Sequence, residues 1–194
     1  MKPTLGSGKL ENLLARWRMR VALGAINPSL HGGDVLDIGC GTHPVFLLQS
    51  PFRRKVGLDQ ISSSSVPPGI EAIHLPLEKN VRLPFPDQSF DCVTSLALLE
   101  HLEPEILPDL LREARRVLRP SGQFVATTPH AFADLFLRLL ARANLVSREE
   151  IEEHKSRFFW PQVRSLLSAA GFTPEKIRVG GFQFGMNILM VAEK

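Results

Sequence analysis

Asp34-Val35-Leu36-Asp37-Ile38-Gly39-Cys40-Gly41-Thr42 is an apolar run that ends on an acid and passes into two glycines separated by one residue. A buried parallel strand that turns sharply beneath a nucleoside needs this composition, because glycine alone admits the backbone angles and lets a ligand approach the main chain closely. The chemistry it suggests is capture of an adenosine-type cofactor, although ligand-free strand-to-helix turns carry a similar short pattern. A second apolar run, Val56-Gly57-Leu58-Asp59, again ends on an acid. For proton transfer the candidates are histidines, whose imidazole titrates near neutrality. They are His101 beside Glu100, His154 in Glu152-Glu153-His154-Lys155, and His43 and His130. The last two follow predicted strands, where ligands bind in open α/β sheets, and each also reads as a solvated loop histidine. Glu100 either orients His101 or is a helix-entry carboxylate facing the dipole. Glu149, Glu150, Glu152 and Glu153 read as a solvated helical face.

The elements that must position these residues follow from periodicity. Leu10, Leu13, Leu14, Trp17 and Val21 recur at helical spacing among Arg16, Arg18 and Arg20, predicting an amphipathic helix over 9–25 within an N-terminal segment, 1–30. Strands are expected near 34–39, 55–59 and 71–75, with a short helix over 44–50 between the first two, a βαβ unit. The apolar run 90–95 predicts the central strand. Ile106, Leu107, Leu110, Leu111, Ala114, Val117 and Leu118 make a helical stripe, closed by a turn at 119–122 and followed by a fifth strand over 123–128. Such alternation predicts a three-layer α/β sandwich on a mostly parallel sheet. A second amphipathic helix is expected over 131–146, within an insertion 131–158 that is either a substrate cover or simply packed on the core. A helix over 161–170 and two strands near 172–179 and 184–192, joined at Gly180-Gly181, complete the chain as an edge hairpin.

At 194 residues, 44% hydrophobic and 22% charged, the chain fits a single domain with a substantial core. A net charge of +3 is far below that of a dedicated nucleic-acid binder. Two cysteines, Cys40 and Cys92, make no disulfide framework and have no metal-ligand spacing, so we expect no metal and a reduced, cytoplasmic compartment. No run of about 18 apolar residues occurs, which argues against integral membrane association. Gly6-Ser7-Gly8-Lys9 lacks the full phosphate-loop spacing and reads as a flexible terminus.

Four segments together resemble the class I S-adenosylmethionine-dependent methyltransferases, in particular the small-molecule enzymes with a minimal seven-stranded, Rossmann-like core. They are Val35 to Gly41, the acid ending Val56 to Asp59, the block Leu83-Pro84-Phe85-Pro86-Asp87 through Phe90-Asp91 to Leu99-Glu100-His101-Leu102, and Arg115 to Gly122. The resemblance implies S-adenosylmethionine as cofactor and a small-molecule acceptor methylated on oxygen or nitrogen, in a monomer or homodimer. It places Gly39, Cys40 and Gly41 beneath the methionyl and ribose groups, with Asp37 holding the loop or the ammonium group. Asp59 would take both ribose hydroxyls, Gln60 would lie by the adenine, Leu77 and Glu78 would border that ring, and Ser95 and Leu96 would line the methionyl side. His101 occupies a position the family commonly fills with histidine, where it either packs or moves a proton, and His154 falls where relatives place substrate-facing residues. The chain departs from the pattern at His43-Pro44, where a third glycine is common, at His74–Leu77, which supplies no adenine-facing aspartate, and at Ser121. Three rivals follow. One is a non-catalytic cofactor-binding or interaction module, and another is a nicotinamide oxidoreductase, whose fuller glycine fingerprint is missing. The third is an RNA or protein methyltransferase, disfavoured because no recognition domain is appended.

Overall fold

Asp34–Ile38 (β1) is buried at all five positions, as a strand covered on both faces must be. Around it stand Arg54–Asp59 (β2), Ile70–His74 (β3), Phe90–Leu96 (β4), Leu118–Pro129 (β5), Ile177–Phe182 (β6) and Asn187–Glu193 (β7). The computed structural model describes residues 9–60, 67–131, 156 and 158–194. These strands form one sheet in the order β3-β2-β1-β4-β5-β7-β6. Neighbours from β3 to β5 run parallel, whereas β7 is antiparallel to both β5 and β6.

Helices cover both faces. Lys9–Ala25 (α1) and Val45–Gln49 (α2) lie over Val35, Cys92 and Val125, whereas Leu107–Val117 (α3) and Trp160–Ala169 (α4) lie over Leu36, Val93 and Phe124. α3 forms where the sequence predicts it. Leu107, Leu110, Leu111, Ala114 and Val117 make its buried stripe, Pro108 opens it, and Asp109 and Arg115–Arg116 complement its dipole at the two ends. The mostly parallel α/β sandwich with an antiparallel C-terminal hairpin is the architecture expected from the sequence.

Three details differ from expectation. α1 buries Met19 and Ala22, and Ile26 is buried just past its end, while Leu13 and Trp17 of the predicted apolar stripe face solvent. β5 begins at Leu118, so the expected turn at 119–122 is part of a strand whose register shifts between Phe90 and Cys92 of β4. Gly180 and Gly181 lie inside β6. The hairpin instead turns at 183–186, where Gln183, Phe184 and Gly185 have positive φ. The predicted helix over 131–146 lies, but for Ala131, outside the described residues.

Candidate active site

The carboxyl ends of β1, β2 and β4 bring the sequence-predicted acids and glycines together. Gly39 and Gly41 have φ of +78° and +69°, the left-handed turn that glycine permits. Gly39 has a second reason to be glycine, since a Cβ there would stand 2.8 Å from Leu98 Cδ1, on the segment leaving β4. Around Gly41 the space is open, the nearest atom to such a Cβ being the His43 amide at 4.0 Å. Loop and strand are tied by backbone, because the Gly39 amide donates to the Leu58 carbonyl at 2.7 Å and the Cys40 amide to the same oxygen at 3.3 Å. Asp59, at the end of β2, accepts from the Gly41 amide on Oδ2 at 2.8 Å. The acid that ends β2 therefore braces the turn that follows β1, although 18 residues separate Gly41 from its partner.

Asp37 is the more deeply placed acid, 4% exposed. Its Oδ1 accepts from the Thr94 hydroxyl at 2.7 Å, across the β1–β4 ladder where the two residues are register partners. Burial raises the Asp37 carboxyl to about 7; the Thr94 bond opposes the rise and the charge of Asp59 adds to it. Cys40 is no nucleophile here, since burial and the charges of Asp37 and Asp59 push its thiol well above the usual range. Its sulfur packs over Gly57, where a Cβ would stand 2.7 Å from Sγ.

Ser95 is 1% exposed at the end of β4, and Leu96 beside it is half-buried. Among the described residues, the Ser95 and Thr127 hydroxyls are buried with no hydrogen-bond partner. The chain leaves β4 through Ala97 at φ +56°, whose amide donates to the Thr127 carbonyl at 2.9 Å. A non-glycine residue in the left-handed region next to buried unsatisfied hydroxyls is the local strain that functional sites carry. Gln60 is exposed just beyond β2. Leu77 and Glu78 line a cleft of about 500 Å³ whose other wall is Glu103–Ile106.

His101 is half-buried in a 3-10 turn, Leu99–His101, that follows β4. Its neighbour Glu100 is 2% exposed and accepts from the Thr128 hydroxyl at 3.2 Å, tying the β4 exit to β5. His154 lies outside the described residues. His43 is exposed, and His130 lies edge-on to Phe159 and Trp160 at 5.7 and 6.0 Å. Sequence reasoning missed Thr94, Ala97, Leu98 and Thr127. Register across β1, β4 and β5 selects them, and only the apolar run of β4 hinted at where that register falls.

The chain matches the family model described as a methyltransferase domain over residues 8–177. A probable S-adenosylmethionine-dependent methyltransferase of Mycolicibacterium smegmatis is 33% identical over 102 residues, covering 51% of this chain and 39% of that protein. The chain thus spans well under two thirds of that relative's length. Among solved structures, an S-adenosylmethionine-dependent methyltransferase of Mesorhizobium loti superposes with a TM-score of 0.67 at 21% identity, covering 93% of this chain and 98% of that one. The 1,6-didemethyltoxoflavin-N1-methyltransferase of Burkholderia thailandensis, solved with 1,6-didemethyltoxoflavin and S-adenosylhomocysteine bound, superposes with a TM-score of 0.64 at 20% identity, covering 91% of this chain and 78% of that one. A seven-stranded sheet of this order, a glycine turn braced by the acid that ends β2 and a family match over 8–177 place the chain among the class I S-adenosylmethionine-dependent methyltransferases.

Proposed function

We propose that this chain transfers the methyl group of S-adenosylmethionine to an oxygen or nitrogen of a small-molecule acceptor. The observation that carries the reading is the Gly39–Gly41 turn, open at Gly41 and braced by Asp59, beside the buried, unpartnered Ser95 hydroxyl. These groups fit the cofactor. A carboxylate offers about four lone-pair sites, so Asp59 can keep the Gly41 amide and still accept from two ribose hydroxyls. Asp37, whose carboxyl is balanced near neutrality, suits a cationic ammonium group that would draw it into the charged form. Ser95 and Leu96 are the proposed contacts of the methionyl arm, Gln60, Leu77 and Glu78 those of the adenine, and Cys40 contributes through its backbone.

When bound, S-adenosylmethionine supplies an electrophilic methyl on a positively charged sulfur that leaves as a neutral thioether. What remains for the chain is alignment of the acceptor in line with that methyl and exclusion of water. A base is needed where the acceptor is protonated at working pH, and His154 and His101 are the proposed bases. The structure of the Burkholderia thailandensis 1,6-didemethyltoxoflavin-N1-methyltransferase, with 1,6-didemethyltoxoflavin and S-adenosylhomocysteine bound to the same fold, supports the substrate class.

Calorimetric titration with S-adenosylmethionine and S-adenosylhomocysteine, with a nicotinamide dinucleotide as control, tests the reading. Micromolar binding of the first two and none of the third is expected, followed by transfer of labelled methyl in an acceptor screen. In that screen His154→Ala is expected to bind cofactor as the parent does and to turn over more slowly; equal turnover removes His154 from the chemistry. Absence of binding by either sulfur compound overturns the proposal. A second reading, a non-catalytic cofactor-binding module, draws on the missing acid in His74–Leu77, and it predicts binding without transfer to any acceptor.

A further inference from the structure

At the β6 edge of the sheet, across β4 and β5 from Asp59, exposed aromatic side chains of the described residues gather around the hairpin turn. Phe184, at the tip, is 95% exposed, and Trp17 of α1 meets it edge-on at 6.3 Å. Trp160 reaches the turn from the other face, since a Cβ on Gly181 would stand 3.0 Å from its ring and 3.5 Å from Gly185 Cα. Leu13 and Phe159, 60% and 40% exposed, extend the rim.

The turn presents Phe184 by construction. Phe184 has φ of +59°, a conformation a bulky residue rarely adopts. Its neighbour Gln183 is 3% exposed, donates from Nε2 to the Leu14 carbonyl at 3.1 Å and accepts from Asn187 Nδ2 at 2.6 Å. A strained phenylalanine held out in water by an anchored neighbour points to an occupant.

Charge says which. Residues 13–26, 158–173 and 177–192, which surround the turn, contain five arginines and no aspartate or glutamate, and the acid of β7, Glu193, lies at the far end of that strand beside Gln123, where it pairs with Lys176 at 2.7 Å. Arg16 and Arg20 are exposed and lie three residues from Leu13 and Trp17, so all four share a helix face. Aromatic and aliphatic side chains bordered by arginine, with no aspartate or glutamate in the described segments that surround the turn, match the headgroup region of an anionic bilayer. The rim also sits at the catalytic end of the sheet, since Asn187 pairs with Pro129 and the His130 amide donates to the Met186 carbonyl at 2.9 Å.

We propose that this aromatic, arginine-bordered rim docks the chain reversibly on an anionic phospholipid surface, delivering to the carboxyl edge of β5 an apolar acceptor dissolved in the bilayer. The second half of this statement rests on the methyl transfer proposed above; the first does not.

The chain carries its own probe, because its two tryptophans are both in the rim and it has no tyrosine. Tryptophan emission is to be followed while vesicles of phosphatidylcholine, or of phosphatidylcholine with phosphatidylglycerol, are titrated into the full chain. A blue shift is expected with the anionic vesicles at a lipid concentration about tenfold below that needed with phosphatidylcholine, and weakened by salt that shortens the Debye length to about 3 Å. Phe184→Gly removes the aromatic ring while relieving the positive φ, so it keeps the fold and is expected to weaken partitioning about tenfold. Arg16→Glu with Arg20→Glu is expected to abolish the preference for anionic lipid. No shift, equal response to both lipids, or a blue shift that grows with protein concentration without lipid overturns the proposal, the last in favour of a second copy. Binding of S-adenosylhomocysteine by calorimetry is read separately, so failure there counts against methyl transfer while the vesicle result still decides docking.

Discussion

Asp37 shows how a single position couples the fold to the site. Burial lifts its carboxyl from 3.8 to about 7, against the pull of the Thr94 hydroxyl and with the help of the Asp59 charge. Between those values the native chain holds a proton that the unfolded chain has released, so stability falls as pH rises from about 4 to about 7 and levels off above, by at most about 4 kcal/mol. Asp34 behaves oppositely, since Arg119 and Arg53 outweigh its burial and hold its carboxyl low, which confines its effect to more acid solution. Urea unfolding of the parent and of Asp37→Asn at pH 5 and pH 8 checks this. The parent is expected to be less stable at pH 8 and the variant nearly level; a parent curve that rises over this range removes Asp37 as the group responsible. Asp37, Gly39, Gly41 and Asp59 were legible in the sequence because composition marks them: acids and glycines closing apolar runs. Thr94 was not, because a threonine in a β-branched strand looks like packing until its register partner is known.

At the scale of elements, the block Leu83–Asp87 is legible as a pattern and not as a mechanism. Its prolines keep it out of the sheet, and Arg116 of α3 replaces the missing ladder. The guanidinium donates to Glu113 through Nε and Nη2, to the Phe85 and Leu83 carbonyls at 2.9 and 3.1 Å, and to Asp87 at 2.7 Å. Glu113 in turn accepts from the Leu83 amide at 2.8 Å. Lysine keeps the charge but lacks the planar fork, so Arg116→Lys is expected to cost about 2 kcal/mol in urea unfolding. Asp87→Ala, at the exposed end of the same network, is expected to leave the urea midpoint almost unchanged, since water screens a surface pair. Equal losses for the two would mean that the surface pair, and not the half-buried fork, pins the loop. The hairpin gives the contrary lesson. A Gly-Gly pair is a strong turn signal, yet Gly180 and Gly181 sit in a strand, where the Trp160 ring leaves no room for a Cβ at Gly181, while the turn falls on Gln183 and Phe184, residue types that announce no turn.

Across the whole molecule, the sheet separates two surfaces. The glycine turn and Asp59 lie at β1 and β2, whereas the aromatic rim lies at β6 and β7, with β4 and β5 between them. Sheet order was legible only through the resemblance, since periodicity gives strands and not their neighbours. Residues this far apart with no shared partner have nearly additive effects, so the two surfaces should answer independently to mutation. S-Adenosylhomocysteine at about 100 times its dissociation constant adds about 2.7 kcal/mol of stability by mass action, which for a chain of this length raises Tm by about 5–10 °C. Thermal unfolding with and without the ligand is expected to show that shift in the parent and in Phe184→Gly, and to show none in Asp59→Ala at the same ligand concentration. A full shift in Asp59→Ala would remove the acid from the cofactor contact, because a group that touches the ribose cannot be deleted without lowering the occupancy on which the shift depends. Loss of the shift in Phe184→Gly would mean that hairpin and glycine turn are coupled through β4 and β5, and the rim would then belong to the same site instead of to a separate docking surface.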